Sequence, residues 1–180
     1  MSRLTMIDPL TATGKARDLL AAVKARLKVT PNMTRVMANS PAVLEAYLAF
    51  SGALENGALT ARLREQLALT VAEADACEYC LSVHSAAGKA MGMTESELRD
   101  TRQGKAASAR DTAALAFARE IVEKRGIVPE KAVTAVRAAG FSDGEIAEII
   151  THVALNIFTN YFNNVAAVEL DFPKVALMTA

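Results

Sequence analysis

The chain has 180 residues, with 20 Lys and Arg against 20 Asp and Glu, and a hydrophobic fraction of 52%. That length suits one domain with a substantial core, and the apolar content excludes a disordered chain. A formal net charge of zero removes the electrostatic footprint of non-specific DNA or RNA binding, so no nucleic-acid partner is expected. A first helix runs from about Gly14 to Leu27, with Leu19, Leu20, Val23 and Leu27 at helical spacing. Pro31 interrupts it, and Asn32 to Ala38 reads as a short turn of helix. Ser40 followed by Pro41 is a cap and first-turn signal that opens Ala42 to Glu55, and Gly57 ends that segment. Thr60 caps the next helix, which reaches about Ala74. Asp75-Ala-Cys-Glu78 has the capping-box shape, which predicts a fresh helix from Ala76 to Ala90.

Thr94-Glu-Ser-Glu97 is a second box, Ser108 opens a helix that stops at Gly126, and Pro129 opens another ending at Gly140. A third box, Ser142-Asp-Gly-Glu145, starts a long last helix over about 142–168. No stretch alternates apolar and polar residues in the manner of a strand. The fold class predicted is all-α, about eight helices in one domain over 1–180, with a chemical core at about 55–100. The order glycine, cap, box, apolar residue occurs twice, at Gly92–Leu98 and Gly140–Ile146. Two independently capped helices and an internal duplication explain it equally well. No secretory leader is recognisable, and the apolar stretches near Val153 and Val165 are broken by Asn156, Asn160, Asn163 and Asn164. Neither export nor a membrane span is expected, so the location expected is cytoplasmic. The mean hydropathy of +0.19 at zero charge points to apolar surface hidden between subunits, hence a homo-oligomer.

The chain's two cysteines, Cys77 and Cys80, stand three residues apart, with one of its two histidines, His84, four residues further on. On a helix these three project from nearly one face. Two thiols are then close enough to form a disulfide, an imidazole is within reach of the second sulfur, and the first helical turn favours a thiolate. That combination is what a redox-active dithiol requires: a nucleophile, a resolving thiol and a base. Glu65, among Leu63, Leu67 and Leu69 on the preceding helix, and Glu73 are the acids placed to complete the site; an ion pair of Glu65 with Arg62 or Arg64 is the competing reading. A structural zinc site would need a fourth ligand beside Cys77, Cys80 and His84, and the spacing is not that of a zinc finger, so no metal is expected. His152 and the asparagines of the last helix either approach the site or serve as satisfied core residues. Met91 and Met93 either line an apolar pocket or pack.

Glu65, eleven residues, Cys77-Glu-Tyr-Cys80, three residues and His84 together resemble the signature of the AhpD-like alkylhydroperoxidases within the carboxymuconolactone decarboxylase superfamily. The segment Thr159–Ala166 with Asp171-Phe-Pro173 is similar to the peroxidase-related branch. The resemblance implies an oligomeric all-α fold, often a trimer or hexamer, and peroxide reduction without haem, flavin, metal or other cofactor. It places the peroxidatic cysteine at Cys80, the resolving cysteine at Cys77, and the proton relay at His84 and Glu65. The implied partners are a peroxide substrate and a dithiol reductant, a lipoyl group or a thioredoxin-like protein. Tyr79 departs from the pattern, because well-known members carry a histidine between the two cysteines. A thiol–disulfide oxidoreductase and a non-enzymatic helical oligomer are the alternative functions.

Overall fold

A computed structural model describes residues 1–178 of the chain. Nine helices succeed one another there, with no strand among the described residues: α1 Gly14–Leu27, α2 Asn32–Met37, α3 Pro41–Glu55, α4 Ala61–Ala74, α5 Glu78–Ala90, α6 Glu95–Arg102, α7 Ala109–Glu123, α8 Glu130–Ala138 and α9 Asp143–Ala166. Side-chain caps account for several of the starts. Thr60 accepts from the Leu63 N–H and Ser108 from the Asp111 N–H, while Thr94 with Glu97 and Ser142 with Glu145 close complete capping boxes. The echo in the sequence therefore belongs to two successive three-helix units, α4–α6 and α7–α9. Each unit also carries an ion pair from the start of its first helix to its box: Arg62 to Glu97 and Arg110 to Glu145, both 2.5 Å and both 35 residues apart.

The α4 helix is the keystone, packing against α5, α6, α7 and α9. Its burial on all sides follows from its composition, since Leu63, Leu67, Ala68, Leu69, Val71 and Ala72 leave no wide polar face. Leu67 and Val71 join one apolar cluster with Leu115, Phe117, Phe141 and Ile149, beneath α7, α8 and α9. Leu69 and Ala72 join the other, with Leu20, Val36, Met37, Leu44 and Leu81. The cysteine pair belongs to this second cluster, next to the seam between the two.

One predicted boundary is corrected. Helix α5 begins at Glu78, not Ala76, and its cap is Cys77 rather than Asp75. Asp75 instead terminates α4, Ala76 takes a left-handed backbone (φ 52°), and the Cys77 sulfur accepts from the Cys80 N–H at 3.2 Å. Tertiary contacts claim Asp75: its carboxylate accepts from Asn160 at 3.1 Å and its carbonyl from Asn164 at 3.1 Å. Beyond α9 the chain runs back across α5 as an irregular strap. The Val175 N–H donates to Ser82, Lys174 pairs with Glu78, and Arg102 donates to the Ala176 carbonyl. No helix among the described residues is long and apolar enough to cross a membrane.

Candidate active site

Cys77 as cap and Cys80 in the first turn of α5 stand with Cα atoms 5.3 Å apart and form a disulfide. The two sulfurs are not equivalent. Cys77 is sealed in the core, whereas Cys80 lines a cavity of about 210 Å³. Its walls come from α4 (Arg64, Glu65, Ala68), α5 (Tyr79, Cys80, Val83, His84) and α9 (His152, Leu155, Asn156, Thr159, Asn163), with α3, α2 and the end of α1 closing the sides. Cys80 also sits among the first amides of a helix, where the dipole and unpaired N–H groups favour a sulfur anion.

Glu65 and His84 meet in this cavity. The Glu65 Oε1 lies 2.6 Å from His84 Nδ1, with the side chains 14% and 25% exposed. Burial pulls the imidazole down, but the charge of Glu65 and its hydrogen bond outweigh that cost and hold the His84 pKa above its ordinary value. The competing pairings of Glu65 are not formed: Arg62 goes to Glu97, and Arg64 donates to the Leu59 carbonyl at 2.6 Å. Glu73, the other candidate acid, is corrected. It faces away from the site, in a buried pair with Arg102 at 2.7 Å, and accepts from the Met178 N–H.

The asparagine-rich last helix supplies the opposite wall. Asn163 Nδ2 lies 3.2 Å from the Cys80 sulfur and 3.3 Å from the Met33 sulfur. His152, Asn156, Thr159 and Asn163 form a buried polar stripe at intervals of four, three and four residues, one face of α9. That periodicity was available in the sequence; what was not is that the stripe faces a cavity instead of packing. His152 is 5% exposed, and its Nε2 has no hydrogen-bond partner. Burial and then the nearby Arg64 charge lower its pKa, against the opposing pull of Glu148.

Tyr79, between the two cysteines, is anchored rather than free. Its ring meets Phe172 edge-on at 6.4 Å, its hydroxyl accepts from the Met33 N–H at 3.1 Å, and burial raises its pKa. Met93 packs in the core, Met91 is exposed, and neither lines the cavity; the methionine that does is Met33. Among the described residues no group of three His, Cys, Asp or Glu side chains is placed to hold a metal ion.

Residues 41–124, from α3 through α7 and so including Glu65, Cys77, Cys80 and His84, match the model of the carboxymuconolactone decarboxylase family. No curated protein matches the chain in sequence. Among solved structures, an alkylhydroperoxidase AhpD core, an uncharacterised peroxidase-related protein from Ralstonia eutropha JMP134, has a TM-score of 0.84 at 23% identity, over 94% of this chain and 92% of that one. An uncharacterised peroxidase-related protein from Silicibacter sp. TM1040 has a TM-score of 0.81 at 22% identity, over 97% and 92%. The debrominase Bmp8, solved in complex with 2,3,4-tribromopyrrole, has a TM-score of 0.78 at 17% identity, over 95% and 94%. The chain thus shares the helical fold of these AhpD-like structures along nearly its whole length, and the segment that carries Glu65, Cys77, Cys80 and His84 matches the carboxymuconolactone decarboxylase family.

Proposed function

We propose that the protein is a peroxidase that reduces alkyl or hydrogen peroxides through the Cys77–Cys80 dithiol, an antioxidant activity. The observation that carries this reading is the asymmetry of the pair: the Cys80 sulfur lines a cavity it shares with Glu65 and His84, and Cys77 lies sealed behind it. The Cys80 thiolate attacks one peroxide oxygen, an S–O bond forms and the O–O bond breaks. The departing alkoxide takes a proton from the His84 imidazolium, leaving an alcohol and Cys80 sulfenic acid. The Cys77 sulfur then attacks the sulfenic sulfur, closing the disulfide and expelling water. A dithiol donor returns two electrons and two protons by exchange and is itself oxidised to a disulfide. His84, oriented by Glu65, carries the protons, and the cycle calls on no haem, flavin or metal.

A thiol–disulfide oxidoreductase would use the same sulfurs, and the debrominase relative supports a reading in which a carbon–halogen bond is what the dithiol reduces. Thiol titration and turnover separate these. Stoichiometric hydroperoxide should consume both thiols of the reduced chain, Cys80→Ser should abolish turnover with a lipoyl-type dithiol, and Cys77→Ser should stop after one oxidation. Retention of both thiols in peroxide, with rapid consumption of a small disulfide or a bromopyrrole instead, would overturn the peroxidase reading. We also infer a homo-oligomer, a trimer, hexamer or dimer, in the cytoplasm. In support, α3 is an apolar helix in which only Leu44 is fully buried, while Val43, Tyr47, Leu48, Phe50 and Leu54 each keep part of their surface open.

A further inference from the structure

The cavity is elongated and chemically divided. Asn163, which touches the Cys80 sulfur, and His152 are eleven positions apart on α9, roughly 16 Å along the helix axis at ~1.5 Å per residue. Cys80 therefore marks one end, and His152 with Arg64 marks the other. Ala68, Val83, Leu155 and Tyr47 are among the residues that line the cavity.

The far end carries a guanidinium that pairs with no carboxylate among the described residues. Of the carboxylates that line or flank the cavity, Glu65 is bonded to His84 and Glu55 is paired with Arg26. Glu148 accepts from the Ala58 and Leu59 N–H groups at 2.8 and 3.1 Å. Arg64 lines the cavity with no carboxylate partner among the described residues, and its single protein hydrogen bond, to the Leu59 carbonyl, leaves most of the guanidinium donors free. His152 contributes wall at this end, but its unpartnered Nε2 is itself sealed, so Arg64 is the group that can reach a ligand. An unpaired guanidinium lining a mainly apolar slot matches a carboxylate in charge and in donor geometry. As for size, an apolar cavity of about 150 Å³ admits benzene, so about 210 Å³ has room for a substituted ring or short chain of roughly ten non-hydrogen atoms.

We propose that this cavity selects a small organic acid, with its carboxylate on Arg64 and its opposite end toward Cys80. The proposal deepens the peroxidase reading: the substrate becomes an acid bearing the hydroperoxide at the end remote from the carboxylate. Hydrogen peroxide, which has no carboxylate to engage Arg64, is then the poorer substrate.

The test uses the full chain in its disulfide form, with 3-phenylpropionate and 3-phenylpropionamide as probes in calorimetric titrations at neutral pH. The acid should bind at least tenfold more tightly than the amide of the same shape. Arg64→Gln should remove that preference, and Arg64→Lys, which keeps the charge, should retain part of it. Bound acid should also slow reduction of the disulfide by a small thiol, because it occupies the approach to Cys80. Equal binding of acid and amide to the unaltered protein, or a preference that survives Arg64→Gln, would overturn the proposal. The comparison of acid with amide needs no variant, so it decides the matter even if Arg64→Gln does not fold. Binding is read without turnover, so a protein that prefers the acid yet consumes no peroxide refutes the peroxidase reading and leaves the carboxylate site standing.

Discussion

Replacing Glu65 with Gln isolates what holds His84 in its charged form. In the native site a carboxylate 2.6 Å from Nδ1 opposes the desolvation of a partly buried imidazole. A hydrogen bond to a charged group contributes ~1.5–3 kcal/mol, and with a quarter of the His84 side chain still wetted the lower end applies, about 1.5 kcal/mol. The amide keeps the shape and one acceptor but loses the charge, so burial alone remains and the His84 pKa should fall below its ordinary value. The chain has only two histidines, so a proton NMR titration yields two imidazole curves. In the native protein His84 titrates above the ordinary value and His152 below it; in Glu65→Gln both should lie below. Stability should follow the same linkage. A raised folded pKa stabilises fully below the unfolded value of about 6.5, and that contribution is lost as pH rises through the folded value. The gap in melting stability between native and Glu65→Gln protein should therefore be widest in mildly acidic buffer and close under alkaline conditions. A His84 curve that does not move in the variant would refute this account of the site.

Asn163→Leu should slow alkylation of reduced Cys80 by iodoacetamide roughly tenfold or more, since an amide donor to a sulfur anion contributes ~1.5–3 kcal/mol at the 3.2 Å contact seen here; an unchanged rate would show that the contact does not stabilise the thiolate. Arg102→Met should destabilise the protein by about 3 kcal/mol or more, because it leaves the Glu73 carboxylate, 10% exposed, without its partner. Adding Glu73→Gln should recover a large part of that loss in urea melts, and a double variant no better than the single would argue against an unpaired buried charge as the cause.

Most of the helical architecture was legible in the sequence, because the signals that begin helices act over three residues. Thr60, Ser108 and the boxes at Thr94 and Ser142 bond to amides within their own first turn, so their residue types announce the starts wherever the helices later pack. The step from Cys80 to His84 is likewise one helical turn, fixed by local geometry. At Asp75 local rules left two acceptors in competition, and the outcome depended on Asn160 and Asn164, 85 and 89 residues distant in the chain. The site was therefore only half readable. Whether Glu65 or Glu73 joined His84 depended on where Arg102 lay, and the polar stripe of α9 gave no sign of what it faced until α4 and α5 were packed opposite it. Helix starts and one-turn neighbours are determined by bonds the chain makes with itself nearby. Partner choice, burial and the division of the cavity into a sulfur end and a cationic end arise only from the packing of helices far apart in sequence, which no local periodicity encodes.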